Sequence, residues 1–341
     1  MDKQKNDTLE LLKLFASYMV VFIHVIFSGY LGVAAETLAR FAVPFFFLVS
    51  GFYSYGISPL KIKSRIKRIL FLIIFATASY TVFNTISLLS KGNLNDVYSY
   101  FMQYANPFKL IKLFVLNIPI HLEYLWYLYA ALYVYAIFYF VAKSHIDDKV
   151  IFIVSISVLF IQILLGEALS IFGIILPGII VRNFAVMGIS FFGLGLFVKK
   201  YQHEFYAISN SVIFSSIIIG ILESILSRYF FGKKEIYIGS LFILFAFVCV
   251  FIKYPDMKFP RFLIALEGCS TYIYVFHDMI SKSIRATYMT FGINMNSSVV
   301  LKNLHPIIVC IISTIFAYLL IKIQKCLKKQ KNNAQFCKEL T

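Results

Sequence analysis

The 341-residue chain carries 32 Lys and Arg against 16 Asp and Glu, a formal net charge of +16, yet only 14% of it is charged and 60% is hydrophobic. With a mean hydropathy of +0.82, a soluble globular domain, about a quarter of whose residues would be charged, is excluded. The basic residues are scattered over short loops instead of lining one face, which argues against nucleic acid and makes the lipid bilayer the partner of the charge.

Apolar segments of about 20 residues recur along the chain, near 9–28, 37–56, 68–90, 122–142, 149–167, 182–198, 207–226, 236–253, 262–281 and 303–323. A backbone cannot cross lipid with unpaired polar groups, and the alternation of a barrel strand is absent, so these segments are predicted to be helices. The expected fold class is all-α: a polytopic membrane protein of about ten transmembrane helices. A weaker stretch at 169–180, broken by Gly173, Pro177 and Gly178, is too short to span and reads as re-entrant or interfacial. One membrane domain over 1–324 and a Lys-rich tail over 325–341 are expected, with 91–121 as the sizeable outside loop.

Placing the N-terminus inside puts 21 of the 32 Lys and Arg on the cytoplasmic side, so the positive-inside rule makes both termini cytoplasmic. The first span is not read as a cleaved signal, because Glu10 and Lys13 interrupt it and a second span follows at once. Of the five cysteines, Cys249, Cys269 and Cys310 fall in spans and Cys326 and Cys337 in the tail. No spacing suggests a metal site, and small buried hydrophobes are the expected role in the spans.

Within the first two spans stand Glu10, Lys13, His24 and Arg40, groups that cost roughly 2.5–3.5 kcal/mol each at a helix centre and therefore suggest function. Lys13 and His24 are eleven residues apart, about 20° off three full turns, so they share a face roughly 16 Å apart along the axis. Glu10, at i−3, is placed to hold Lys13. Arg40 is expected at the outer start of span two, at a depth near His24.

Several segments in order resemble one family. Lys13, ten residues and His24 are similar to the Arg/Lys and His of the first span of the acyltransferase-3 family of integral membrane acyltransferases. ARFAVPFFFLVSGF at 39–52 resembles its second-span pattern, and Arg65 and Arg68 its R-x-x-R connection. LWYLYAALYVY at 125–135, VRNFAVMGISFFGLG at 181–195 and EGCSTYIYVFH at 267–277 resemble later motifs, so the likeness covers about 9–323. This chain has Glu10 where Asp is common, Lys13 where Arg is common, and Tyr124 where a His precedes the LWYL Trp, with His121 and Glu123 nearby.

The resemblance implies a membrane O-acyltransferase, similar to surface-polysaccharide O-acetyltransferases, in a bacterial cytoplasmic membrane. The donor it implies is acetyl-CoA or another acyl-CoA, with no permanently bound cofactor, and the acceptor is a hydroxyl of a cell-surface or lipid-linked glycan. Any step that an appended outer domain supplies in some relatives would fall to a partner or be unnecessary. Oligomeric state is left open, a dimer included.

Acyl transfer needs a base for the hydroxyl proton, donors for the oxyanion and a site for the anionic carrier. His24 is the candidate base or acyl carrier, Glu10 and Arg40 its candidate catalytic companions. Lys13, Arg65 and Arg68 are candidates for the coenzyme A phosphates, and Trp126, Tyr127, Arg182, Asn183 and His277 for substrate contacts. A multi-span transporter or exporter of an envelope glycan or its precursor is the alternative, though it would more often show paired broken helices in two related halves.

Overall fold

The computed structural model describes residues 6–339 apart from 91, 93, 175, 296 and 297, with side chains through 330. Lys3 and Lys5, part of the polar run 91–96, and the side chains of Lys331, Cys337 and Lys338 lie outside the described residues. Those described form helices and no strand.

Helix α1, Asp7–His24, starts on the Asn6 side chain, which accepts from the Leu9 amide at 2.7 Å. Asp7 and Glu10 in its first turn and His24 in its last complement the helix dipole. It ends at His24, four residues short of the expected span, where the backbone leaves helical geometry at Val25 and Gly29 takes a positive φ.

Helix α2, Gly29–Leu38, runs through a 3-10 turn at Ala39–Phe41 into α3, Ala42–Phe52. Together they make one apolar helical stretch, Gly29–Phe52. Arg40 is therefore central in this stretch, not at its outer start as the sequence suggested, because the small-residue run before it is helical too. Next come α4, Pro59–Leu89, α5, Leu94–Met102, and α6, Pro107–Leu116, so the expected outer loop holds two short helices. Helix α7, Trp126–Lys143, and α8, Asp148–Ile163, follow.

A π-helical turn, Leu164–Ala168, and α9, Leu169–Ile171, extend α8. After a break at 172–177 come α10, Gly178–Val181, a second π-helical turn, Phe184–Gly188, and α11, Ile189–Lys200. The weak stretch 169–180 is thus the end of one long apolar helix, a turn and the start of the next. The remaining helices are α12, Gln202–Ala207, α13, Asn210–Phe231, α14, Ile238–Lys253, α15, Arg261–Ile264, α16, Cys269–Thr290, and α17, Val299–Glu339.

Among the described residues, seven helical stretches are long and apolar enough to cross a membrane, including Gly29–Phe52, Pro59–Leu89 and Val299–Gln330. The other three expected spans are helical as well: α1 carries Asp7, Glu10 and Lys13, α14 is apolar but only 16 residues long, and α16 carries Asp278, Lys282 and Arg285. The protein is an all-helical, multi-pass membrane protein.

The chain divides into two compact units, one of Met1–Glu36 with Tyr254–Thr341, the other of Thr37–Lys253. In the first, α1 packs on α16 and α17, joined by the Tyr18–Thr314 hydrogen bond of 2.8 Å. Pro306 lies inside α17, where its missing amide removes the bond that would run to Lys302. In the second unit, α3 packs on α11, α11 on α8, α4 on α7 and α13 on α14. The α3–α11 contact is close enough that a Cβ on Gly51 would overlap the Phe192 carbonyl, and one on Gly195 the Leu48 carbonyl, a small-residue contact typical of membrane helices. Cys249, Cys269 and Cys310 are buried free thiols, as expected, and Cys326 is exposed.

Candidate active site

In the unit built from both chain ends, Lys13 and Glu10 form the expected i,i+3 ion pair on α1, each about a fifth exposed. His24, at the C-terminal end of the same helix, is exposed. Its ring lies 5.3 Å, centroid to centroid, from that of His277 on α16. His277 is fully buried, and its Nδ1 donates to the Tyr274 carbonyl at 2.7 Å. A carbonyl only accepts, so this bond keeps a proton on Nδ1 and holds the ring plane. Neighbouring Asp278 turns away to pair with Lys282 at 2.8 Å. The structure thus brings the first and ninth expected spans together through two imidazoles 253 residues apart.

The second unit gathers another group of the predicted residues. Arg40, 6% exposed, donates to Glu235 Oε2 at 2.7 Å. Arg182 lies 3.7 Å from the same oxygen, and its guanidinium sits 5.6 Å from the Trp126 ring centroid. Asn183 accepts from the Val186 amide and donates to the Ile179 and Ile180 carbonyls, each at 2.9 Å. Its amide is committed to shaping the turn that presents Arg182. Tyr127 packs edge-on against Phe47, with centroids 4.7 Å apart, and its hydroxyl bonds Ser50. Behind Glu235, buried Lys234 pairs with buried Glu167 and donates to Ser227 at 2.8 Å. Glu167 rides on the first π-helical turn and also accepts from the Ile238 amide at 3.0 Å; such turns are frequent at functional sites.

Glu235, Glu167 and Lys234 escaped the sequence reading. Lys234 and Glu235 stand in the short charged run Lys233–Glu235 between two spans, which reads as an ordinary loop. Glu167 stands alone in an apolar segment, where the cost of a charge was the available signal, as it was for Glu10.

Arg65 and Arg68 separate in role. Arg65 donates to Ser54 Oγ and the Tyr53 carbonyl, both at 2.7 Å, and so fastens the start of α4 to the end of α3. Arg68 is exposed. His121 stacks on Tyr100 with centroids 4.3 Å apart and bonds the Tyr100 carbonyl at 3.1 Å. Burial pushes its pKa below the ordinary histidine value.

The family model of acyltransferase-3, described as an acyltransferase domain, matches residues 6–322. No curated protein matches the chain, and no solved structure does.

Proposed function

The chain belongs to the acyltransferase-3 family of membrane acyltransferases, and we propose that it moves an acyl group, acetyl in the first instance, from cytoplasmic acyl-CoA to a hydroxyl of a cell-surface or lipid-linked glycan. The observation that carries the chemical reading is the exposed His24 imidazole held against the buried ring of His277, on the helix that also bears the Glu10–Lys13 pair.

His24 takes the proton of the acceptor hydroxyl as its oxygen attacks the thioester carbonyl. The carbon–sulfur bond breaks, and the departing thiolate recovers a proton from the imidazolium. Alternatively His24 attacks first, and the acyl group waits on the imidazole until the hydroxyl displaces it. Both routes balance with the same reactants, and trapping an acylated His24 by rapid quenching separates them.

Lys13, held by Glu10, supplies positive charge for the carrier's phosphates. Arg65, on α4, holds the turn between α3 and α4, and Arg68 lies exposed three residues further along the same helix. Within the second unit, Arg40 and Arg182, both on Glu235, and Trp126 form a cluster suited to a sugar: fixed donors beside an aromatic face. Arg40 is a fixed donor of that cluster for the acceptor sugar, and Tyr127 and Asn183 keep Trp126 and Arg182 in place. His277 positions the His24 ring.

The reading sets ten spans and both termini in the cytoplasm of a bacterial cell membrane. Its test is an NMR spectrum of the surface polysaccharide from cells lacking the gene. Base-labile O-acetyl signals should disappear; their persistence, with loss of acetate from a cytoplasmic small molecule, would place the acceptor on the wrong side.

A further inference from the structure

The unit that carries His24 has a second polar feature, a cleft of about 570 Å³ lined by Ile26, Arg285, Tyr288, Lys302, His305 and residues between 289 and 295 at and beyond the end of α16. Among the described residues its lining holds no acidic side chain. Arg285 is exposed and Lys302 half-buried, and among the described residues neither makes an ion pair. Two cations therefore line one space with no acidic side chain among its described lining residues.

His305 makes the cleft more than a charged surface. The ring is 1% exposed. Its Nε2 lies 3.0 Å from Ser281 Oγ and 3.4 Å from Arg285 Nε. A guanidinium nitrogen can only donate, so Nε2 accepts, and the ring proton resides on Nδ1. That Nδ1 has no hydrogen-bond partner among the described residues. A buried N–H donor without an acceptor is destabilising, and the natural acceptor beside two cations is an anion's oxygen.

We propose that this cleft binds a phosphate-type anion, the phosphate or diphosphate of an amphiphilic ligand, with Arg285 and Lys302 neutralising its charge and His305 Nδ1 donating to one oxygen. Arginine suits the planar recognition of two phosphate oxygens, and lysine the point charge. Ile26, Met289, Ile293 and Met295 give the same cleft an apolar side, which fits a head group with apolar chain next to it. Ile26 is also two residues beyond His24. On the acyltransferase reading, on which this second step rests, the anion is that of a phosphate-linked acceptor held near the base.

Binding is measured on the full-length protein in nanodiscs of neutral choline lipid, with two probes: inorganic diphosphate in solution, and a polyprenyl phosphate doped into the disc. Wild type should bind at least one probe saturably. Arg285→Gln with Lys302→Gln should weaken that binding at least tenfold, and Arg285→Lys should keep most of it. An unchanged size-exclusion profile and melting curve show that each variant is folded. Preference for the polyprenyl phosphate identifies a lipid carrier as the source, and preference for diphosphate a soluble one; both support the site. No saturable binding of either probe, or equal binding by the folded double variant, overturns it. His24→Ala should bind both probes as wild type does. If that variant still transfers acyl groups while the double variant loses probe binding, the acyltransfer mechanism fails and the anion site stands.

Discussion

Glu10, Lys13 and His24 were legible in the sequence because helical periodicity alone decides their relation: the i,i+3 ion pair is present, and His24 closes the same helix. Their partners were not legible. Nothing local links His24 to His277 or Arg40 to Glu235, since each pair is made by packing of helices far apart in the chain. Arg40 illustrates the energetics. Its guanidinium is nearly inaccessible in the middle of an apolar stretch, and removing one partner of such a pair leaves a buried charge behind. Glu235→Ala should cost about 3–5 kcal/mol, whereas Arg40→Met with Glu235→Met, which removes both charges, should cost less. Unfolding midpoints in a denaturing-detergent titration report the difference; a double variant weaker than the single would show that the pair is not coupled.

At the scale of elements, hydropathy located the long helices well, because about 20 apolar residues suffice to mark a span. It misjudged ends and interruptions. The reading of 9–28 as one span missed the break after His24, and 169–180 proved to be the end of one long helix, a turn and the start of the next. Both depend on local backbone geometry at Val25, Gly29 and Gly173 that hydropathy does not register. Gly51 lies against the Phe192 carbonyl, a close helix approach that hydropathy does not register either.

Helix α5 offers a test through pH. His121 joins it by stacking on Tyr100 and bonding the Tyr100 carbonyl, and burial lowers the His121 pKa. The docked ring is therefore favoured in its neutral form. The attachment is complete above the ordinary histidine pKa of about 6.5 and weakens as pH falls below it, where the released ring protonates more readily. Amide hydrogen exchange at 94–105, corrected for its intrinsic pH dependence, should accelerate between about pH 7.5 and 5.5, and His121→Phe should flatten that response. An unchanged pH response in His121→Phe would assign it to another group.

The whole molecule holds the least legible fact: the first compact unit is discontinuous, joining Met1–Glu36 to Tyr254–Thr341. No internal repeat or linker announces that, because the association depends on which apolar faces meet. Orientation was read from charge, and it is directly testable. On a cysteine-free background, an impermeant thiol reagent applied to intact cells should label Ser99→Cys and spare Lys63→Cys. The reverse pattern would move the acyl-CoA side to the wrong compartment.

The central claim is that this protein catalyses acyl transfer through His24. The most direct measurement is transfer of labelled acetyl from acetyl-CoA to envelope glycan by the purified protein in nanodiscs, compared with folded His24→Ala and Lys13→Ala. Wild type should label the glycan. His24→Ala should fall by about 10²–10⁴-fold, and Lys13→Ala should chiefly raise the KM for acetyl-CoA. Wild-type labelling by folded His24→Ala protein would contradict the account.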